Sequence, residues 1–252
     1  MTSSRRFFMG AVPVDPCTLD EAVDLIDALV EAGNGGAVYT PNVDHVMLAE
    51  HHNEFRAAYA QADFCPPDGK PVVWGARMLG HEVPERVSGA DLLLPVLVRA
   101  AKRDQGVYFF GANETTLRLA QDKLAAQTPH LRIVGQASPM VDPSASDAAY
   151  EEWCAPMRAS GAKLIIVALG APKQELFIAR ARAMVPGAVF LAFGAALEFV
   201  AGTVPRAPVW MRGVGLEWAY RLGREPRRLA HRYLVRDAGY PRVLWREWRK
   251  RR

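Results

Sequence analysis

The chain lacks both the cysteine content and the long apolar runs that mark several large protein classes. Its 252 residues include three cysteines, Cys17, Cys65 and Cys154, which lie far apart and form no C-x-x-C pair. Such sparse cysteines argue against a disulfide framework or a zinc site and favour a reducing compartment. No segment approaches the ~18–20 apolar residues that a membrane span needs. The short apolar stretch 7–14 is broken by Pro13 and has no small-residue cleavage site, unlike a signal sequence. We therefore expect a cytoplasmic protein that contacts a membrane only peripherally.

The motifs of common metal and nucleotide enzymes are also missing from the sequence. There is no D-x-D pair of carboxylates, no histidine cluster at ligand spacing, no Walker A or G-x-G-x-x-G sequence and no serine nucleophile elbow. We expect no metal site and no cofactor.

Basic residues are concentrated at one end of the chain. Residues 205–252 carry thirteen Arg and one Lys against four acids, a net charge of +10, whereas residues 1–204 have a net charge of −6. The basic part also holds four of the six tryptophans, which are Trp210, Trp218, Trp245 and Trp248. Arginine and tryptophan together suit a surface that binds phosphate and lies against a bilayer or an RNA. A solvated helical face is the alternative explanation of such a run.

Short apolar runs alternate with helical patterns between about residues 8 and 200. The predicted strands are 37–40, 107–110, 131–135, 164–169 and 188–193, and the predicted helices are 44–61, 88–101, 114–127, 147–160 and 174–184. Continuous apolar strands separated by helices predict a doubly wound, Rossmann-like α/β fold with a mainly parallel sheet. We assign residues 1–204 to this domain and residues 205–252 to a basic, helical C-terminal appendage.

Ligands of such sheets bind in the crevice outside the carboxyl ends of the strands. The predicted ends are Thr40-Pro41-Asn42, Pro66-Pro67-Asp68-Gly69, Gly111-Ala112-Asn113, Gly170-Ala171-Pro172-Lys173-Gln174 and Gly194-Ala195-Ala196. Three of them begin with glycine, which lets backbone N–H groups approach a phosphate. Glycine also ends many strands for steric reasons, but three such turns at one edge favour a nucleotide site.

Two charged residues at this edge are candidates for chemistry. Asp68 follows two prolines and precedes Gly69, so a stiff turn aims its side chain as that of a general base would be aimed. The same Asp-Gly pair can simply make the turn. Arg86 stands just before a predicted helix and could bind a phosphate or pair with a surface acid.

Nine short blocks stand in a characteristic order along the chain, namely Thr40-Pro41-Asn42, Pro67-Asp68-Gly69, Arg86-Val87-Ser88-Gly89, Phe110-Gly111, Gly170-Ala171-Pro172-Lys173-Gln174-Glu175, Ala201-Gly202-Thr203-Val204-Pro205-Arg206-Ala207-Pro208, Gly215-Leu216-Glu217-Trp218, Tyr220-Arg221-Leu222 and Glu225-Pro226-Arg227-Arg228. Taken together, these segments resemble the WecG/TagA/CpsF glycosyltransferases over nearly the whole chain. The resemblance implies a bacterial enzyme at the inner face of the plasma membrane. Such an enzyme transfers a sugar from a UDP donor to a polyprenyl-diphosphate-linked sugar, with inversion and without a metal.

The resemblance also implies roles for individual residues. Asp68 would deprotonate the acceptor hydroxyl beside Thr40, and Arg86 and Gln174 would hold the donor diphosphate or the reacting sugar. The expected substrate-binding residues are Asn42, Gly111, Asn113, Gly170, Lys173, Gly194, Glu198, Arg221, Arg228 and Arg232. Where the family often has Phe-Asp-Phe, this chain has Leu197-Glu198-Phe199, which keeps the charge on a side chain longer by one methylene.

The appendage is expected to lie on anionic lipid, to grip the acceptor diphosphate and to close over the site. Arg224, Arg228, Arg232 and Arg236 recur every four residues and are predicted to share one helical face. A break is predicted at Gly239-Tyr240-Pro241, before a last helix within 243–252.

The predicted partners are a UDP-sugar, a polyprenyl-diphosphate-linked acceptor and an anionic membrane surface, and not nucleic acid. Oligomeric state stays open, as does the donor sugar, for which the resemblance allows N-acetylmannosamine, N-acetylmannosaminuronic acid or glucose. An acidic donor would need a further cation, which Lys70 or Arg77 could supply. Two other classes of function stay open, a soluble nucleotide-sugar-modifying enzyme and a non-catalytic protein that binds nucleic acid through the basic tail.

Overall fold

The apolar stretch near the start of the chain folds into a hairpin. The computed structural model describes residues 5–251, apart from the side chain of Arg228. Strands β1 (Phe7–Met9) and β2 (Val12–Val14) pair antiparallel around Gly10, whose φ is +62°. Met9, Val12 and Val14 are fully buried, so this stretch belongs to the protein core.

The central sheet has five strands, all parallel, which confirms the predicted α/β fold. Their order across the sheet is β3 (Gly36–Tyr39), β7 (Val189–Ala192), β6 (Leu164–Ala168), β4 (Gly106–Gly111) and β5 (Arg132–Ala137). All but the edge strand β5 are buried along their whole length. They are continuously apolar because helices cover both faces.

Successive strand residues point to opposite faces of the sheet and enter two separate hydrophobic clusters. On the face of Tyr39 lie α2 (Val43–His51), α3 (Asn53–Ala60), α4 (Lys70–Met78), α7 (Asp147–Ala159) and α8 (Lys173–Met184). On the face of Val38 lie α1 (Leu19–Ala32), α5 (Gly89–Lys102), α6 (Glu114–Gln127) and α9 (Ala196–Ala201).

Two local predictions about the first half of the chain are wrong. The helix predicted at 44–61 is divided into α2 and α3 at His52, whose backbone is extended and whose side chain caps α3. The Asp68 turn does not follow a strand of the sheet, because the preceding segment makes only a single bridge, from Phe64 to Val38. Asp68 therefore lies beside the edge strand β3.

The basic tail folds back over the body as a series of short helical segments. They are α10 (Val209–Gly213), α11 (Glu217–Arg224), α12 (Pro226–Ala230), a π-helical segment (His231–Arg236), a 3₁₀ turn (Asp237–Gly239) and α13 (Tyr240–Lys250). The prediction that Arg224 shares a helical face with Arg232 and Arg236 is wrong, because the chain bends at Glu225 and the π-helical segment changes the period. The last helix begins earlier than predicted, with Pro241 in its first turn, where a missing N–H is tolerated.

The tail also enters the hydrophobic core. Tyr240 and Val243 of α13 are buried in the cluster on the Tyr39 face of the sheet. Gly75 of α4 allows this approach, since a Cβ there would lie 2.7 Å from Leu244 Cδ2. The tail therefore packs against the body although the sign of the charge changes near residue 205. The division into two domains stays a prediction.

Within residues 5–251, no helix is both long enough and apolar enough to cross a membrane.

Candidate functional site

A cavity of about 630 Å³ lies at the carboxyl ends of β3, β6 and β7. This is the crevice in which sheets of this class bind their ligands. The tail forms its opposite wall with Arg212, Gly215, Glu217, Trp218, Arg221, Arg232, Tyr233, Asp237, Ala238, Tyr240 and Pro241. The cavity therefore lies between the body and the tail and is partly enclosed by them.

Most of the predicted site residues meet in this cavity. Those that line it are Thr40, Asn42, Asp68, Arg86, Gly170, Gln174, Gly194, Glu198, Arg221 and Arg232. Of the two cations proposed for an acidic sugar, Lys70 lines the cavity, whereas Arg77 donates to the carbonyl oxygens of Val83 and Pro84. The side chain of Arg228 lies outside the described part of the structure.

Gly111, Asn113 and Lys173 lie outside the cavity lining. The end of β4, which carries Gly111, is separated from the ends of β7 and β3 by β6. Gly111 has a steric role, because a Cβ there would lie 2.8 Å from the Ala168 carbonyl oxygen. Asn113 caps α6 by accepting the Thr116 N–H at 2.8 Å. Lys173 is exposed at the start of α8.

Asp68 is held at the cavity by the backbone of its turn. Its N–H donates to the Pro41 carbonyl at 2.9 Å, and the Val87 N–H donates to the Pro67 carbonyl at 2.8 Å. Burial raises the pKa of the Asp68 carboxyl to about 7, although Arg86 acts in the opposite direction. A carboxylate with this pKa suits a general base that works near neutral pH.

Arg86 lies beside Asp68 and is largely buried, with 12% of its side chain exposed. Its Nη2 donates to Asp91 Oδ2 at 2.7 Å. Its Nη1 lies 3.7 Å from Asp68 Oδ1 and 3.9 Å from Glu217 Oε2. Arg86 thus lines the cavity and also pairs with acids.

The sequence patterns missed Asp91, which is surrounded by arginines. Its carboxylate accepts from Arg86, from the Ser88 hydroxyl at 2.7 Å and from Arg206 Nη2 at 2.6 Å, and Arg212 Nη1 lies 3.7 Å away. Ser88 caps α5 by accepting the Asp91 N–H at 3.2 Å, but the Asp91 carboxylate does not accept the Ser88 N–H in return. Arg206 belongs to one of the blocks shared with the family, but the resemblance assigned it no role and so did not indicate Asp91.

Gln174 connects the loops that follow β6 and β7. Its Oε1 accepts the Gly194 N–H at 3.1 Å, and its Nε2 donates to Glu175 Oε1 at 2.9 Å and to the Ala192 carbonyl at 3.4 Å. Burial raises the pKa of the fully buried Glu175 to about 7, and the hydrogen bond from Gln174 opposes this. Gln174 therefore holds Gly194, which also lines the cavity, in place.

The tail is attached to the start of α2 by charge. The side chain of Asp44 is 2% exposed and forms an ion pair with Arg236. Its Oδ2 also lies 3.2 Å from Arg232 Nε. Arg232 Nη2 also donates to Asn42 Oδ1 at 3.4 Å. Asp44 was not predicted, because nothing local to 43–51 shows that its partners lie in the tail.

Two titratable groups beside this attachment have strongly shifted pKa values. Burial is the main cause that lowers the pKa of His45 to about 3, and the positive charges of Arg232 and Arg236 lower it further. The Nδ1 atom of His45 lies 2.6 Å from the Tyr59 hydroxyl oxygen. His45 is therefore neutral at physiological pH. Burial and the charge of Asp44 raise the pKa of Asp237 to about 7.

The site thus combines a half-buried carboxylate, several arginines and the ends of three neighbouring strands. Among the residues that the structure describes, no three His, Cys, Asp or Glu side chains lie where they could share a metal ion. The model of the glycosyl transferase WecG/TagA/CpsF family matches residues 8–252, which is nearly the whole chain. The chain therefore belongs to the WecG/TagA/CpsF family, whose members are glycosyltransferases of cell-surface polysaccharide synthesis.

Proposed function

We propose that the protein transfers a hexosyl unit from a UDP-sugar to an undecaprenyl-diphosphate-linked sugar, with inversion and without a metal ion. The observation that carries this proposal is the Asp68 carboxyl beside Arg86 in a cavity walled by the arginine-rich tail. The family supplies the coarser frame, a nucleotide-sugar donor and a lipid-linked acceptor.

The proposed reaction is a single displacement at the anomeric carbon of the donor. The acceptor hydroxyl oxygen forms a bond to that carbon from the side opposite UDP, and its proton passes to Asp68. The bond between the anomeric carbon and the β-phosphate oxygen breaks, and its electron pair leaves with UDP. One base and stabilisation of the departing diphosphate are sufficient for this chemistry.

Arginines of the cavity would compensate the charge that develops on the departing diphosphate. Arg86 contributes from the body, and Arg212, Arg221 and Arg232 contribute from the tail. Fixed cations in a partly enclosed site stabilise a developing anion more strongly than they would in water.

We further propose that the tail holds the protein at an anionic membrane surface, at the inner face of the plasma membrane. Val209 and Trp210 of α10 are 74% and 65% exposed, and Trp245 of α13 is 59% exposed. A basic group near an anionic surface contributes about 1 kcal/mol. Exposed tail arginines outside the cavity, such as Arg224, Arg242 and Arg249, would supply this attraction for peripheral docking.

The release of UDP from a panel of UDP-sugars tests the proposed activity and identifies the donor. We expect release only when a lipid-diphosphate-linked sugar is present, and we expect it to survive an excess of EDTA. Conversion of the donor without an acceptor would instead favour a nucleotide-sugar-modifying enzyme. Loss of activity in EDTA, with recovery on adding magnesium or manganese, would overturn metal independence.

Arg86→Ala is expected to raise the barrier of the transfer step by about 3 kcal/mol, or roughly two orders of magnitude in turnover, as for the loss of one transition-state donor. Steady-state turnover at saturating donor measures this. Arg158→Ala is the matched control, because Arg158 pairs with Glu151 on the surface and does not line the cavity. Equal activity of the two variants would exclude Arg86 from the reaction.

A further inference from the structure

Asp91 is the point at which the body and the tail share one carboxylate. Its Oδ2 accepts from Arg86 Nη2 and from the Ser88 hydroxyl, both at 2.7 Å. Its Oδ1 accepts from Arg206 Nη2 at 2.6 Å, and Arg212 Nη1 lies 3.7 Å from the same oxygen. One oxygen therefore faces the arginine beside Asp68, and the other faces the start of the tail.

Asp91 stands at the third position of α5, where a side chain can take part in capping the helix. Glutamate or glutamine at this position can accept the backbone N–H of the capping residue. Glu21 does so at the same position of α1, where its Oε2 accepts the Thr18 N–H at 2.8 Å. Asp91 instead directs its carboxylate to the Ser88 hydroxyl and to guanidinium groups. Helix capping alone does not explain its geometry.

The anchor at Asp91 decides what the rest of the Arg86 guanidinium can reach. With Nη2 bound to Asp91, Nη1 lies 3.7 Å from Asp68 Oδ1 and 3.9 Å from Glu217 Oε2. Both distances exceed those of hydrogen bonds. Nη1 is thus close enough to influence Asp68 and still able to donate to an oxygen of a substrate in the cavity.

We propose that Asp91 is a positioning residue for the transfer reaction, which keeps Arg86 from pairing closely with Asp68 and fixes Arg206 at the same place. The inference rests on the proposed role of Asp68 as the base. It gives the first residues of the tail a direct connection to the reacting groups, because Arg206 and Arg86 share one carboxylate.

The charges around Asp68 set the sign of the expected effect. Four charged residues act on Asp68, namely Arg86 before α5, Asp91 in α5, Arg206 before α10 and Glu217 in α11. Other charged or titratable residues line the same cavity, namely Lys70 of α4, Asp44 and His45 of α2, Glu198 of α9, Arg221 of α11, and Arg232 and Asp237 of the tail. The charge of Asp91 raises the pKa of Asp68, and that of Arg86 lowers it. Loss of the Asp91 charge and closer approach of a released Arg86 therefore both lower the pKa of Asp68.

The test is Asp91→Asn, which keeps the shape of the side chain. We expect kcat to fall about 10–100-fold, since a less basic Asp68 and a misplaced Arg86 both slow proton removal. We also expect the acid limb of the pH–rate profile to move about one unit to lower pH, a usual size for such a change in nearby charge. Carboxyl-carbon NMR of Asp68 in the resting enzyme should show the same shift, and this reading does not depend on the donor sugar.

Glu21→Gln is the matched control, because it removes a helix-capping acid that pairs with Arg5 far from the cavity. It should lower thermal stability and leave kcat and the pH profile unchanged. The same behaviour in Asp91→Asn would reduce Asp91 to a capping role and overturn the proposal. An unshifted pKa of Asp68, or one shifted upward, would also overturn it.

A second variant covers the case in which Asp91→Asn does not fold. Asp91→Glu keeps the charge and displaces Arg86 by one methylene, so kcat should fall while the acid limb moves by less than the one unit expected for Asp91→Asn. Parent-like turnover in that variant would overturn the proposal. Failure of the base assignment is recognised separately, because the acid limb would then persist in Asp68→Asn.

Discussion

Replacing Asp68 by asparagine is expected to lower turnover about 10²–10⁴-fold and to leave the affinity for UDP almost unchanged, as for loss of a general base. The amide keeps the size of the side chain but cannot accept the proton of the acceptor hydroxyl. Single-turnover rates and equilibrium binding of UDP measure the two quantities separately. Asp147→Asn is the control, because Asp147 is 99% exposed and pairs with Arg180 away from the cavity.

The pH dependence of the parent tests the same assignment. Because burial raises the pKa of Asp68 to about 7, the rate should fall as the pH decreases through that value. Stability has the opposite dependence on pH. The carboxyl of the unfolded chain loses its proton near its ordinary pKa of 3.8, whereas that of the folded protein keeps its proton up to a pH of about 7. Asp68 thus makes the protein less stable as the pH rises between these values, and Asp68→Asn should lack this decline. Near-normal turnover in Asp68→Asn would show that Asp68 is not the base and only helps to form the turn.

Replacing Arg221, Arg228 and Arg232 by glutamate is expected to lower turnover more than about 10³-fold, even with a short, water-soluble acceptor diphosphate. Arg221 and Arg232 line the cavity, and a carboxylate at position 232 would face the buried Asp44. The triple variant should also bind vesicles of anionic lipid more weakly, and this difference should shrink at high salt because salt screens surface charges.

A second triple variant separates position from charge. Arg224, Arg242 and Arg249 are exposed tail arginines outside the cavity lining, and their replacement by glutamate changes the net charge equally. This control should lose vesicle affinity and keep its turnover on the soluble acceptor. Equal loss of turnover in both triples would show that total charge matters and position does not. Unchanged vesicle binding in both triple variants would show that the tail does not bind the membrane through its charge.

The effect of removing the whole tail differs from what the sequence alone suggests. Every predicted strand lies before Pro205, which predicts a folded body without the tail. The structure places Tyr240 and Val243 in the core, and α13 packs closely against Gly75. Deletion would therefore expose apolar surface and lower the free energy of unfolding, so the point variants are the cleaner probes of function.

The sequence by itself determined the strands of the sheet, most of its helices and the family, because apolar periodicity and short motifs are local signals. The chain segments after β3, β6 and β7 could be recognised in the same way, since parallel strands end at a common edge. The Asp68 turn was recognised from its prolines and glycine, although it follows no strand of the sheet. Gly111 and Asn113 were assigned to the site because their motif ends a strand. The order of the strands, which puts β4 beyond β6, became known only from the fold.

Tertiary structure alone decided which charges meet. Asp91 and Arg206 are 115 positions apart, and nothing local to either residue indicates the other. Asp44 meets Arg232 and Arg236 only because a bend at Glu225 and a π-helical segment bring the tail back to α2. The pKa of Asp68 likewise depends on burial by distant segments, because desolvation is a property of the packed molecule and not of the residues on either side of it.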